Sequence, residues 1–283
     1  MNSLSIEQLG SSIDDSFFMI GVAILLIELV HGLFSKTLKS RGFADMLASA
    51  STQIPFLLVE IFVLSFAYSI YVLVHERYVS WSFDINVVSI IFAVIIADFF
   101  YYWEHRIAHV VRVLWVQHAV HHSSRHMNIV TGIRFGSFEG IWSMVTMFPM
   151  LLIGFAPELI IFGNLVVLAY QTWVHTELIG KLGPVEWVMN TPSHHRVHHG
   201  CDKQYMDKNY GGIFIVRDRL FGSFKEEQEA PHYGLAQDFN SVNPLRVWFS
   251  EFPELLTDIV NAKSVYELRK RLFARPGWLP DAD

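Results

Sequence analysis

An all-α, integral-membrane fold is predicted by three features of this chain. Its composition is strongly apolar, its hydrophobic runs are long, and its histidines gather at the ends of those runs. Hydrophobic residues make up 52% of the 283 residues and charged residues 17%, with a mean hydropathy of +0.33. That is too apolar for an ordinary water-soluble domain. A net charge of −6 excludes a chain-wide basic footprint for nucleic acid. The single cysteine, Cys201, excludes an internal disulfide and a CxxC metal site. Glu7, Asp14 and Asp15 precede the first apolar run where a signal peptide carries basic residues, and no small-residue cleavage site follows, so the run is expected to be a retained span.

Residues 17–34 form the first span, just long enough at 18 residues. Residues 54–74 and 85–103 form the second and third. Two shorter runs, 141–155 and 159–174, meet at Ala156-Pro157 and predict a helical hairpin within the membrane. Four to five membrane-embedded helices result, with aromatic residues near their ends as interfacial anchors. Lys36, Lys39 and Arg41 follow span one and place that side in the cytoplasm. Counting spans then returns residues 104–137 to the same side, in agreement with Arg106, Arg112, Arg125 and Arg134. The hairpin brings back residues 175–283 as well. The whole chain, 1–283, reads as one domain with a cytoplasmic helical cap. Within the cap, residues 263–273 (KSVYELRKRLF) have the pattern of an amphipathic helix.

Six of the 14 histidines lie within residues 105–126, and four more within SHHRVHHG at 193–200. His105 and His109 are four apart and stack on one helix face. His118, His121 and His122 have the spacing H-x2-H-H and, on a helix, share a face. His195, His198 and His199 repeat it. His175 stands at the end of the hairpin. His194 is open to an H-x3-H pairing with His198. Isolated histidines are usually hydrogen-bonded surface groups, the reading given to His75, His126 and His232. The boxed pattern reads instead as a metal site. Imidazole suits zinc, copper, iron and nickel. Nine histidines exceed one ion's needs and match two ions with four or five ligands each. Asp98, one heptad before His105, is placed to fix the tautomer of a ligand imidazole. Glu28, His31 and Glu60 are further ionisable residues within spans, read as pairing with one another or lying near the interface.

H-x3-H, H-x2-H-H and H-x2-H-H on such a scaffold resemble the sterol desaturase/fatty acid hydroxylase superfamily. FYYWEHRIAH, WVQHAVHHSS, WVHTELIGKLGPVEWVMNTPSHHRVHHG, MDKNYGG and DRLFGSF are similar to its alkylglycerol monooxygenase-like branch, over residues 85–235. HYGL and RPGWLPD resemble bacterial members, which implies the bacterial inner membrane. The resemblance implies two iron ions, O2, and oxidation of a C–H bond of a membrane lipid. The ligands it implies are His105, His109, His118, His121, His122, His195, His198 and His199, with His175 as a ninth. Asn190 is implied to act from behind the ligands or through a water. Glu139, in RFGSFE, either orients a box histidine or caps the hairpin helix. In animal members an acidic residue after the first box accompanies a tetrahydrobiopterin reductant; here that position is Val110, which speaks against this cofactor. Gly211-Gly212 makes no G-x-G-x-x-G, so no nicotinamide or flavin site is visible. A separate electron-donor protein or reductant is therefore expected.

The reading that follows is a di-iron lipid hydroxylase. A desaturase or sterol C-methyl oxidase is the alternative within the superfamily, and a metal transporter or a metal-binding interaction protein the alternative outside it. A transporter needs histidines along the spans, and only His31 lies well inside one.

Overall fold

The computed structural model describes residues 5–279; the last residues of the RPGWLPD phrase lie outside them. Helix α1 runs Ile6–Phe34, opened by a capping box at Ser5. α2 (Ser40–Ser51) and α3 (Gln53–Tyr78) follow, separated only at Thr52. α4 (Val87–Val110) starts at Asn86, whose side chain accepts the Val88 and Ser89 N–H groups. Val111 is extended and turns the chain into α5 (Arg112–His122). The predicted hairpin is α6 (Glu139–Met147), α7 (Pro149–Ile153) and α8 (Pro157–Tyr170). It turns at Gly154–Ala156, where Gly154 has a φ of +100°. Pro149 divides its first arm, a break the hydrophobic pattern did not reveal, because proline removes a backbone donor without interrupting apolarity.

α9 (Pro192–His198) carries the last histidine box, and α10 (Val216–Phe221) follows it. α11 (Pro244–Trp248), α12 (Phe252–Val260) and α13 (Val265–Phe273) close the chain. α13 is the predicted amphipathic helix, capped by Ser264. Among the described residues the only β pairings are two isolated bridges, Met189 with Phe214 and Gly200 with Tyr233.

Among the described residues, four helical stretches are long and apolar enough to cross a membrane: Ile6–Phe34, Ser40–Tyr78, Val87–Val110 and Pro157–Val174. Their outer faces expose large apolar side chains such as Phe18, Phe62 and Phe66. In water that surface would be untenable; in lipid it needs no cover. The protein is an integral membrane protein.

Packing among these helices relies on small residues, as expected where lipid competes equally for large ones. α4 and α8 approach closely at Gly163, where a Cβ would meet the Ala93 carbonyl oxygen at 2.8 Å. α1 buries Gly10, Gly21 and Gly32, spaced so that all three fall on one stripe. Glu28, on that helix, accepts the Ile129 N–H at 3.0 Å and the Thr176 hydroxyl at 2.6 Å. It therefore pins two loops near the histidines and does not pair with His31 or Glu60. A methionine-rich core lies between α3, α4 and the hairpin, around Met144, Met147, Met150 and Phe155.

Beyond the spans, buried ion pairs hold the cap. The fully buried Arg134 donates to Asp45, Ser49, Ser123 and the Val120 carbonyl. Arg112 pairs with Glu251 at 2.5 Å and fixes α12 to the start of α5. Arg134→Met is expected to cost about 3–5 kcal/mol, because it strands the Asp45 carboxylate in the interior. Denaturant unfolding in detergent measures this.

Candidate metal centre

The turn between α4 and α5 brings two histidine pairs face to face. His105 and His109 lie on the last turns of α4, and His118 and His122 on the last turn and a half of α5. His198 from α9 completes this group of five. A second group contains His121, His175, His195 and His199. In each group the potential ligand atoms lie within 4.8 Å of one another, and all nine side chains are buried.

The boxes are shared between the groups. His118 and His122 serve the first and His121 the second; His195 and His199 serve the second and His198 the first. The three histidines of each box, though on one side of their helix, thus divide between the two groups. Successive helical residues are about 100° apart. The i and i+4 members point together, whereas the i+3 member leans to the other side and reaches the neighbouring group.

The rings are oriented from behind. His105 Nδ1 lies 3.0 Å from the Tyr210 carbonyl, and His118 Nδ1 2.6 Å from Glu139 Oε1. His121 Nδ1 faces the Arg134 carbonyl at 3.2 Å, and His175 Nδ1 the Gln171 carbonyl at 2.9 Å. His198 Nδ1 faces the Lys208 carbonyl at 3.0 Å. Each acceptor requires a proton on Nδ1, which leaves Nε2 as a bare lone pair. Yet His105 Nε2 and His118 Nε2 are 3.0 Å apart, and His121 Nε2 and His175 Nε2 3.2 Å apart. Facing lone pairs at that distance repel unless a cation lies between them. Metal–imidazole bonds of about 2.0–2.1 Å separate neighbouring ligand nitrogens by about this much. The nitrogens of His109 and His198 that face the group, both Nε2, are buried without any partner. The residues present fit two metal ions.

Electrostatics agree. Burial, followed by neighbouring imidazoles, holds His121, His122, His195 and His199 well below the usual histidine range. His175 is lowered to about 4 by burial, and His198 to about 3 by burial and His118. The neutral form they favour is the one that binds metal.

Several supporting residues lie apart from their expected places. Asp98 meets no box histidine. It accepts the Ile213 N–H at 2.6 Å and pairs with Arg217. Seven residues along α4 place it about 10 Å from His105, too far for contact. Its effect is indirect, since it anchors the loop whose Tyr210 carbonyl orients His105. Gly212 permits that anchoring, because a Cβ there would meet Asp98 Oδ1 at 2.7 Å. Asn190 also binds this loop, donating to the Gly211 and Gly212 carbonyls at 2.8 and 3.2 Å. His194 stands outside both groups, with its ring against Phe224. Glu139 does orient His118, and its other oxygen accepts the Gly136 N–H.

Asp218 and Tyr210 were not singled out in the sequence. Asp218 accepts the Tyr210 and Gly211 N–H groups, both at 2.8 Å. Asp207 and Asn209 adopt φ of 58° and 56°, and between and after them the Lys208 and Tyr210 carbonyls turn toward His198 and His105. The phrases MDKNYGG and DRLFGSF were visible; their carbonyl chemistry was not, since backbone acceptors leave no residue signature.

Both groups border an apolar cavity of about 320 Å3, touched by His105, His118, His121 and His175. Ile133, Phe138 and Leu168 line it and are also exposed, which puts its edge on the apolar exterior. A larger cavity of about 760 Å3, beside the ends of α1 and α2, contains none of the nine histidines.

Two all-histidine groups able to hold metal, at the end of a membrane helix bundle, point to a class of membrane metalloprotein. Comparison with known proteins identifies it further. The sequence profile of the fatty acid hydroxylase family matches residues 90–223, which include all nine histidines, and the chain belongs to this family. It is similar to alkylglycerol monooxygenase of Homo sapiens (34% identity over 264 residues, 92% of this chain and 58% of that protein). The same enzyme of Xenopus tropicalis is 39% identical over 183 residues, 65% of this chain and 41% of that protein. The ornithine lipid hydroxylase of Rhizobium tropici is 27% identical over 137 residues, 48% of this chain and 41% of that protein. The chain thus spans roughly half the length of the curated relatives it matches. No solved structure matches it.

Glu139→Ala is expected to weaken metal retention about 10–100-fold, because His118 loses the acceptor that fixes its tautomer. Competition with a chelator reads this. Metal-stripped protein should lose stability as pH falls below about 6.5, where the unfolded histidines take up protons that the folded ones refuse. The sign follows from the lowered pKa values of His121, His122, His195 and His199. Thermal unfolding at pH 7.5 and 5.5 checks it.

Proposed function

We propose that this chain is an O2-dependent di-iron hydroxylase acting on a C–H bond of a membrane lipid. The observation that carries the reading is the pair of converging histidine groups at the inner end of an apolar, lipid-side cavity. Iron is preferred over zinc because the reaction needs a redox metal. His105, His109, His118, His122 and His198 hold one ion, and His121, His175, His195 and His199 the other. When bound, the ions supply reductive activation of O2: one oxygen atom enters the lipid and the other leaves as water. Two electrons come from a separate protein or small reductant. The names of the relatives favour a glycerol ether or an amino-acid lipid as substrate.

The chain's own residues do the rest. Phe56, Phe135, Trp142 and Leu165 surround an acyl or alkyl chain and exclude water. The Tyr210, Lys208, Arg134 and Gln171 carbonyls and the Glu139 carboxylate keep the imidazoles aimed inward. The basic residues Lys36, Lys39 and Arg41 after α1 support a cytoplasmic metal centre, in a bacterial inner membrane. Residues 1–283 act as one domain in this reading.

Protein purified with iron should carry about two iron ions per chain and oxidise 1-O-hexadecylglycerol in the presence of O2 and a reductant. His195→Ala and His198→Ala are each expected to lower that rate by at least about 100-fold in folded protein, more than loss of a supporting partner. Fewer than about one redox-active metal per chain, with no O2-dependent change in any lipid offered, would refute the proposal.

A further inference from the structure

Beside the spans, one segment of the chain turns its apolar side chains outward. Every exposed residue of 182–188 and of 216–222 is Leu, Gly, Pro, Val, Trp or Phe. Leu220 is 75% exposed and Trp187 68%. The two stretches form one surface. The Ile215 N–H donates to the Val188 carbonyl at 2.9 Å. The Arg219 guanidinium donates to the Glu186 carbonyl at 3.1 Å and lies over the Trp187 ring. A continuous exposed apolar surface marks a protein or membrane partner. Exposed charge returns just outside it, in the Lys181–Glu226 ion pair.

The polar groups of the same segment point the other way. Asp98 accepts the Ile213 N–H, and the Asn190 side chain donates to the Gly211 and Gly212 carbonyls. The Asn190 N–H donates to the Ile213 carbonyl at 2.8 Å. Arg217 pairs with Asp98 and donates to the Ile95 carbonyl at 2.8 Å. Irregular backbone at membrane depth has to find its partners within the protein, and these contacts supply them without water. The depth follows from α4. Arg217 meets that helix at Ile95, and Phe221 packs on Trp103 with ring centroids 5.0 Å apart. Ile95 and Trp103 lie about 12 and about 24 Å along α4 from Val87, inside a hydrocarbon core about 30 Å thick. Val88, Ile91, Phe92 and Ile95 form the exposed apolar stripe of α4, and the patch adjoins it.

We propose that residues 182–188 and 216–222 are embedded in the lipid bilayer as a patch that dips in from the histidine-bearing side and does not cross. Its partner is the acyl-chain region of the membrane, with Trp187 and the Arg219 guanidinium against it toward the headgroups. Continuity with the lipid-facing stripe of α4 favours lipid over a second copy of the chain. Part of the segment that the sequence assigns to a cytoplasmic cap is then a membrane element.

The test is spin-label accessibility on the full chain in phosphatidylcholine nanodiscs. Single cysteines are placed by Val216→Cys and Leu220→Cys in a Cys201→Ser background. Phe66→Cys on α3 is the lipid-facing reference and Lys203→Cys the water-facing one. Labels at 216 and 220 should be relaxed more by O2, which partitions into lipid, than by a water-soluble nickel chelate, as at 66 and opposite to 203. Access of the nickel chelate equal to that at 203 would overturn the proposal. Shielding from both reagents would overturn it too, in favour of a second copy of the chain. Should the cysteine variants not fold, Trp187→Phe decides, since it keeps an aromatic ring beside Arg219. It should lose part of the quenching of tryptophan emission by brominated phosphatidylcholine, and unchanged quenching would sink the idea.

Discussion

Repulsion between imidazole lone pairs is the constraint around which this protein is organised. The acceptors behind His105, His118, His121 and His175 protonate Nδ1 and leave Nε2 bare, and the fold then presses these nitrogens to within about 3 Å. Burial keeps His121 and His175 from charging. A cation between them relieves the conflict, which would couple metal binding to folding in the proposed centre. The sharing of the two H-x2-H-H boxes makes the coupling mutual, because α5 and α9 each contribute to both groups.

The scaffold serves that constraint with two kinds of support. Carbonyls and one carboxylate touch the rings directly. Behind them, Asp98, Asn190 and Asp218 grip the loop at 210–214 through its backbone. The left-handed conformations of Asp207 and Asn209 are part of this support, a local cost that the surrounding hydrogen bonds offset. In a bilayer the arrangement has a further advantage. The helices that carry it pack through glycine and alanine, so α4 and α8 approach closely without needing a hydrophobic driving force.

The cavity divides along the same line as the family comparison. The segment 90–223 holds all nine histidines of the two converging groups and both Asn164 and Trp142. Asp14, Phe56 and Glu60, which close the cavity from α1 and α3, lie before it. The converging histidines therefore all lie in the segment that the family profile matches, whereas one wall of the cavity comes from helices before it.

What the sequence determined by itself is set by short-range periodicity. Apolar runs long enough for a bilayer gave the spans, Ala156-Pro157 gave the hairpin turn, and histidines at helical spacing gave the nine residues that converge. Glu139 was legible because it lies in a short phrase beside the second box. Tertiary structure alone decided the division of the nine into five and four, since that depends on which neighbour each side of α5 and α9 faces. It also decided that Asp98 anchors a loop, that His194 turns away, and that Tyr210 and Lys208 orient imidazoles through their carbonyls. Those contacts join residues about a hundred positions apart or use atoms common to every residue, and neither leaves a mark in the order of side chains.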